Sequence, residues 1–231
     1  MTTNPRISVR GNSAQPTGRS VIEGTSLTIA PDNFPDPIVD QPLSSPGAPP
    51  ATAVLAGGCF WCTEAIYRDM KGVLSVTPGY AGGTRETADY KAVSTGGTKH
   101  AEAIRITYGP ARLTYGRLLK VFFSIAHDPT QRNRQGNDFG PQYRSALFPV
   151  GAEQRRVAEA YVKQLDDAGA FTDAIVTTIE PDTEFYEAEA RHHDFAARNP
   201  ANGYVMAVSM PKVRKLEAYF PDMLNRSSPP T

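Results

Sequence analysis

The composition of the chain changes sharply at residue 51, and this change limits which part can fold into a compact body. Residues 1–50 hold nine of the 20 prolines and a single aromatic residue, Phe34, and they lack helical or strand periodicity. Such a composition buries too little apolar surface to offset the entropy lost on ordering. We therefore predict an irregular N-terminal extension, a proline-rich extended or disordered tail over 1–50, followed by one folded domain over 51–225. Within the extension, residues 32–37 are either an exposed linker or a docking segment in which Phe34 plugs the domain.

The charge balance excludes several classes of partner. The chain has 24 Lys and Arg residues and 24 Asp and Glu residues, so its formal net charge is zero. Because a phosphate backbone is held by positive charge, we expect no nucleic-acid partner. No run approaches the ~18 apolar residues of a membrane helix, so we expect no membrane partner. The tail also lacks the continuous apolar region of a secretory signal, which predicts a cytoplasmic location, and we expect a monomer.

From residue 51 onward, strand and helix patterns alternate without an internal repeat. The clearest strand is 101–108, in which Ile104, Ile106 and Tyr108 share one face and polar residues stand between them. We predict further strands at 53–56, 73–76, 143–148, 175–179 and 204–208, and helices at 63–71, 114–126, 152–168 and 184–198. This interleaving predicts an α/β or α+β domain.

Both cysteines of the chain lie in the segment Gly57-Gly58-Cys59-Phe60-Trp61-Cys62, between the first predicted strand and the first predicted helix. Glycines before a helix start leave the helix's unpaired N–H groups close to the first sulfur, which favours the thiolate and predicts a pKa for Cys59 below its ordinary value of about 8.5. Cys62 follows one helical turn later, roughly 5–6 Å away and within reach of a disulfide. The alternative is two small buried residues that are three apart by chance.

Phe60 and Trp61 stand between the cysteines, and Trp61 is the only tryptophan of the chain. Core packing is the ordinary role of aromatic rings. Two adjacent rings at a helix start cannot easily both point into one core, however, so we expect one of them to line a pocket beside the sulfur.

Glu102 has the same parity as the apolar residues of strand 101–108. A carboxyl group on that face is desolvated, so its pKa rises and it becomes a candidate general acid. The alternative is a strand-end residue that turns to water or pairs with Lys99 or His100.

Asp138 lies in a glycine-bearing polar loop, and Tyr143 follows it. Such loops often form structural turns, but they also bind ligands. His192 and His193 are adjacent, and on a helix they point about 100° apart and do not share an ion, so we predict no metal site.

These motifs, in this order, resemble those of the A class of peptide methionine sulfoxide reductases over about residues 51–215. The matching segments are Gly58-Cys59-Phe60-Trp61, Gly79-Tyr80-Ala81-Gly82-Gly83, Tyr90, His100-Ala101-Glu102-Ala103, His127-Asp128-Pro129, Gln135-Gly136-Asn137-Asp138-Phe139-Gly140, Gln142-Tyr143-Arg144-Ser145, Phe185-Tyr186-Glu187-Ala188-Glu189 and Asn199-Pro200. Together with the alternation of strands and helices, they lead us to expect a single α/β domain, an α+β two-layer sandwich related to the ferredoxin-like fold, with a mixed sheet and flanking helices.

The resemblance implies a role for each of several residues. Cys59 would attack the sulfur of methionine sulfoxide, in proteins or as the free amino acid, and Glu102 would protonate the sulfoxide oxygen. Tyr90 and Tyr143 would hydrogen-bond that oxygen. The product would be methionine, Cys59 would be left as a sulfenic acid, and the substrate would be the S epimer.

The resemblance further implies that Phe60 and Trp61 cage the substrate methyl group and that Asp138 holds the substrate backbone. Many members carry a second cysteine near the C-terminus, just after a Gly-Tyr pair, but here Val205 stands in that place. Cys62 would therefore resolve the sulfenic acid as a disulfide. Thioredoxin or another dithiol would reduce this disulfide, and no cofactor is implied.

Two other classes remain open at this point. A thioredoxin-like thiol–disulfide oxidoreductase also places Cys-x-x-Cys at a helix start, and it would act on protein disulfides but not on a methionine sulfoxide peptide. A redox-sensing binding module would be oxidised once without turnover.

Overall fold

The computed structural model describes residues 25–225. Within them, six strands form one mixed sheet in the order β7-β6-β1-β3-β2-β8, and β4 pairs with β5 in a separate hairpin. All neighbours in the six-stranded sheet are antiparallel except β6 and β7. The strands are β1 (Ala51–Gly57), β2 (Val73–Ala81), β3 (Ala101–Tyr108), β4 (Arg134–Gln135), β5 (Asp138–Phe139), β6 (Ser145–Phe148), β7 (Thr178–Ile179) and β8 (Phe185–Glu187).

The helices pack mainly against one face of this sheet. They are α1 (Phe60–Tyr67), α2 (Tyr90–Ser94), α3 (Tyr115–Val121), α4 (Gly151–Ala168), α5 (Phe195–Arg198) and α6 (Met210–Tyr219). A π-helical turn, Phe122–Ala126, continues α3, and a second one, Val205–Ser209, leads into α6. None of the helices within residues 25–225 is long and apolar enough to cross a membrane.

The alternation along β3 decides how the two faces of the sheet are covered. Ile104, Ile106 and Tyr108 belong to the large core that includes the helices, whereas Ala101 and Ala103 belong to a small cluster on the opposite face. The large side chains therefore fill the space under the helices, and the small ones allow close cover on the other side. This arrangement confirms the predicted α/β class, with a mixed sheet and flanking helices.

Two of the predicted elements are wrong. Residues 184–198 were expected to be one helix, but they form β8, a single 3₁₀ turn and the short helix α5. β8 gains backbone hydrogen bonds by pairing with the end of β2, and Asp194 has a φ of +50°, which no continuous helix allows. Residues 204–208 were expected to be a strand, but Val205 and Ser209 are buried four residues apart, which is helical spacing.

The described part of the N-terminal extension, residues 25–50, lies along the domain. Phe34 is 2% exposed and meets the ring of Phe171 edge-on at 6.0 Å, as the docking interpretation of residues 32–37 requires. Asp40 accepts a hydrogen bond from the backbone N–H of Gly116 and so satisfies one of the free N–H groups at the N-terminus of α3. Residues 1–24 lie outside the described part, and the division of the chain at residue 51 stays a prediction.

Candidate active site

The cysteine segment folds into a strand, a tight turn and the start of a helix. β1 ends at Gly57, Gly58 has a φ of +89°, and Cys59 occupies the N-cap position of α1 without a capping hydrogen bond from its side chain. A Cβ atom on Gly58 would lie 2.6 Å from Cβ of Gln135. Only glycine fits this turn without strain, and the turn fixes the position of Cys59.

Glu102 lies on β3, opposite Tyr80 of β2, and is 2% exposed. The inward orientation expected from its parity is confirmed. Its Oε2 atom accepts a hydrogen bond of 3.1 Å from the backbone N–H of Phe60. Burial raises the pKa of Glu102 to about 8; the Phe60 bond opposes this rise, and the charges of Asp138 and Cys62 add to it. The carboxyl group therefore holds a proton at neutral pH.

Cys59 and Cys62 are free thiols that are buried and hydrogen-bonded to each other. Burial, this hydrogen bond and the charge of Glu102 raise the pKa of Cys59 well above its ordinary value. The expectation of a lowered pKa for Cys59 is therefore wrong. The first N–H group of α1, that of Phe60, is taken by Glu102 rather than by the sulfur, and a buried sulfur loses the stabilisation of its charge by water.

The negative charge of the thiol pair rests on Cys62. The hydrogen bond from Cys59 lowers the pKa of Cys62 to about 6; burial opposes this, whereas Lys212, Ser209 and Tyr204 act in the same direction. Cys62 Sγ lies 3.2 Å from Ser209 Oγ and 3.7 Å from the Tyr204 hydroxyl. At neutral pH the two sulfur atoms therefore share one proton and titrate as a pair, in which the negative charge is favoured on Cys62.

A cavity of about 200 Å³ opens beside Cys59. It brings together all of the predicted site residues except Cys62, and it adds Tyr204. Its lining consists of Cys59, Phe60, Trp61, Tyr90, Glu102, Asp138, Tyr143 and Tyr204. Cys62 borders a neighbouring cavity of about 180 Å³ on the side of α6. The two cavities share Cys59, Asp138 and Tyr204.

The aromatic wall of the first cavity is held by residues that the sequence reasoning missed. The indole ring of Trp61 stacks on Phe195, with ring centres 3.7 Å apart, and its N–H donates to His192 Nδ1 at 3.2 Å. The ring of His192 also lies 4.5 Å from that of Tyr90. The sequence suggested His192 only as a metal ligand and placed Phe195 inside one long helix over 184–198, so no sequence signal pointed to this contact.

Asp138 and Tyr204 form a partition between the two cavities. The Tyr204 hydroxyl donates to Asp138 Oδ2 at 2.5 Å, across 66 positions of the chain. The Gly203-Tyr204 pair was noted only because no cysteine follows it, although the tyrosine itself belongs to the site. Among residues 25–225, no cluster of His, Cys, Asp and Glu side chains has the arrangement of a metal site.

A buried thiol pair, a protonated carboxyl group and an aromatic pocket beside the first thiol define a thiol-dependent oxidoreductase. The family model for peptide methionine sulfoxide reductase matches residues 51–224. The peptide methionine sulfoxide reductase MsrA 2 of Synechocystis is 51% identical over 206 residues, which cover 88% of this chain and 96% of that protein. The MsrA of Deinococcus radiodurans is 50% identical over 181 residues, which cover 78% and 87%.

Solved structures agree with this match. Mxr1 from Saccharomyces cerevisiae in its reduced form is 35% identical with a TM-score of 0.61, and the alignment covers 69% of this chain and 91% of that one. Methionine sulfoxide reductase A of Corynebacterium diphtheriae is 31% identical with a TM-score of 0.58, covering 79% and 92%. The chain belongs to the peptide methionine sulfoxide reductase family, in its A class.

Proposed function

We propose that the protein reduces the S epimer of methionine sulfoxide, free or within proteins, to methionine. Cys59 acts as the nucleophile, Glu102 as the acid and Cys62 as the resolving thiol, and thioredoxin or another dithiol recycles the enzyme. The observation that carries the proposal is the shared cavity of about 200 Å³, in which Cys59, the protonated Glu102 and the aromatic wall meet.

In the first step, the sulfur of Cys59 attacks the sulfoxide sulfur. The proton of Cys59 passes to Cys62, to which it is hydrogen-bonded. Glu102 delivers its proton to the sulfoxide oxygen, which moves to the sulfur of Cys59 as the S–O bond of the substrate breaks. Methionine leaves, Cys59 carries a sulfenic acid, and Glu102 is left as a carboxylate.

The walls of the cavity suit a polar oxygen beside an apolar methyl group. Burial, followed by the charges of Glu102 and Cys59, raises the pKa values of Tyr143 and Tyr90, so both phenols keep their protons and donate to the sulfoxide oxygen. Phe60 and Trp61 supply the apolar surface for the methyl group. Asp138 would accept a hydrogen bond from the substrate backbone in addition to its bond from Tyr204.

In the second step, Cys62 attacks the sulfur of the Cys59 sulfenic acid and a disulfide forms. The hydroxyl group leaves as water, taking the proton that Cys62 received in the first step. The external dithiol then reduces the disulfide by two successive exchanges, and both cysteines return as thiols. These steps need no bound cofactor.

The proposal is tested with peptides that contain one pure epimer of methionine sulfoxide. We expect thioredoxin-dependent formation of methionine from the S epimer only, and none by the Cys59→Ser variant. Equal reduction of both epimers would contradict the stereochemical assignment. Reduction of a protein disulfide without any reduction of the sulfoxide would contradict the proposed activity itself.

A further inference from the structure

The segment that leads into α6 places a buried hydroxyl group on the resolving sulfur. Ser209 is the last residue of the π-helical turn Val205–Ser209 and is 0% exposed. Its Oγ atom lies 3.2 Å from Cys62 Sγ. A buried hydroxyl group needs a hydrogen-bond partner, and for Ser209 that partner is the sulfur of Cys62.

The first turn of α6 places a positive charge in the cavity beside the same sulfur. Lys212 follows Ser209 by three positions and lines the cavity of about 180 Å³ that also contains Cys59 and Cys62. Lys212 does not line the cavity of about 200 Å³ on the other side of the partition formed by Asp138 and Tyr204. Within residues 25–225, no carboxylate forms a salt bridge with Lys212. Its charge is therefore free to act on the thiol pair.

We propose that Ser209 and Lys212 stabilise the thiolate that Cys62 forms in the step in which it attacks the sulfenic acid of Cys59. The inference rests on the proposed function, because it assigns the groups that make the resolving step of that reaction possible. Ser209 contacts the reacting sulfur directly. Lys212 is a positioning residue that acts through its charge.

These groups are needed because the resolving sulfur lies in an unfavourable place for a charge. Cys62 is 1% exposed, so water does not stabilise its thiolate. Of the acidic groups near it, Glu102 is ionised after the first step, and Asp138, which accepts the hydrogen bond from Tyr204, lines the same cavity as Cys62. Both oppose a negative charge on the sulfur. The Ser209 hydroxyl group and the ammonium group of Lys212 stabilise that charge instead, whereas the hydrogen bond from Cys59 is lost when its sulfur is oxidised.

The chemistry of the step balances without another reactant. The Cys62 thiol gives its proton to the ionised Glu102 or to water, and the thiolate forms the S–S bond while the S–O bond of the sulfenic acid breaks. The departing hydroxide takes up the same proton and leaves as water. The oxidation of Cys62 matches the reduction of the sulfenic sulfur, so that a disulfide and one water remain.

The inference is tested by the pH dependence of disulfide formation in a single turnover without thioredoxin. Reduced protein is mixed with excess S-sulfoxide peptide and quenched in acid, and the disulfide is counted by mass spectrometry after alkylation. Ser209→Ala and Lys212→Met should each move the midpoint of the profile upward by about one pH unit, as expected for the loss of one interaction with a charged group. At pH values well below the midpoint, the thiolate fraction then falls about ten-fold.

The rate of disulfide formation at high pH, where the profile reaches its plateau, distinguishes stabilisation of the Cys62 thiolate from a merely structural role of Ser209 and Lys212. Because a less acidic thiol gives a stronger nucleophile, the rate at high pH should stay equal or rise up to about three-fold. A lower plateau with an unchanged midpoint would overturn the inference, because it would indicate displaced atoms rather than a lost charge interaction. Ser209→Thr and Lys212→Arg should restore the midpoint of the wild type.

A titration in the Cys59→Ser background gives the same information without depending on which step is slower. Thiolate absorbance then reports the titration of Cys62 alone. The pH midpoint of this titration should be higher in the double variants that also carry Ser209→Ala or Lys212→Met. Matched controls are Ser124→Ala, a buried serine that bonds to the Lys120 carbonyl, and Arg214→Met, an exposed cation on α6. Neither control should move the midpoint. Midpoints that stay unchanged in the test variants would overturn the inference alone, whereas a wild type that forms no disulfide would overturn the proposed function.

Discussion

Replacement of Glu102 by glutamine removes the proposed acid while keeping its shape. The amide oxygen of Glu102→Gln can still accept the 3.1 Å hydrogen bond from the Phe60 N–H group, but the amide cannot transfer a proton to the sulfoxide oxygen. Positioned general acids contribute about 10²- to 10⁴-fold to a rate. We expect a loss of that size in the first turnover at pH 7.

The raised pKa of Glu102 makes the size of the loss depend on pH. With a pKa of about 8, the carboxyl group is about 90% protonated at pH 7 and about 10% protonated at pH 9. The ratio of the wild-type rate to the Glu102→Gln rate should therefore fall about ten-fold between these pH values. Both proteins retain the thiol pair, so its own titration largely cancels in the ratio.

The assay is rapid-quench measurement of methionine released from an S-sulfoxide peptide, with no thioredoxin present. A rate within three-fold of the wild type at pH 7, or a ratio that stays constant up to pH 9, would refute the assignment of Glu102 as the acid.

Protein stability provides an independent check on the same group. The pKa of Glu102 in the fold lies above its ordinary value, so its contribution to stability is full at low pH and is lost as pH rises from about 4.5 through 8. Glu102→Gln should therefore unfold at a higher temperature than the wild type at pH 8 to 9, and the difference should vanish near pH 4. A variant that is inactive and yet more stable cannot owe its inactivity to misfolding.

Three further substitutions test the resolving thiol, the turn before Cys59 and the docked position of Phe34. Cys62→Ser should complete about one turnover per enzyme with thioredoxin and leave a sulfenic acid on Cys59 that dimedone labels. Gly58→Ala should lower the free energy of unfolding by at least about 2 kcal/mol in urea titrations, because of its positive φ and its contact with Gln135. Phe34→Ala should cost about 3–5 kcal/mol in the same titrations, since a buried aromatic ring is removed.

Each of these predictions has a control or a contradicting result. Sustained thioredoxin-driven turnover by Cys62→Ser would rule out Cys62 as the thiol that resolves the Cys59 sulfenic acid. Gly136→Ala shares a positive φ but has no atom within 4 Å of the added Cβ, so it should cost only about 1 kcal/mol. Ile38 is 84% exposed, and Ile38→Ala should change stability by no more than about 0.5 kcal/mol. If Phe34→Ala also lowers the free energy of unfolding by no more than about 0.5 kcal/mol, the result contradicts the docked position of Phe34.

The sequence predicted the core of the site because its signals are local. The apolar run before Gly57-Gly58 indicated a strand that ends at a turn, and the alternation along 101–108 indicated that Glu102 faces inward. Both features depend on residues only a few positions apart. The structure has the strand, the turn and the inward carboxyl group where the pattern indicated them.

The remaining features depend on contacts that are distant in the chain. Burial first, and then the hydrogen bond with Cys62, raise the pKa of Cys59, and the Phe60 N–H group that could have served the sulfur is taken by Glu102, 42 positions away. Ser209 reaches Cys62 across 147 positions. The pairing of β8 with β2 overrides the helical pattern of the residues around 185. No local pattern carries this information, because packing decides it.

The fate of the two sulfur atoms shows whether Cys62 resolves the sulfenic acid of Cys59. The fully reduced protein is mixed with an equimolar amount of an S-sulfoxide peptide, and peptide and protein are analysed by mass spectrometry. We expect the peptide to lose one oxygen and the protein to lose two hydrogens, and we expect digestion to find Cys59 joined to Cys62. A peptide that loses its oxygen while the protein gains no Cys59–Cys62 disulfide would contradict this expectation.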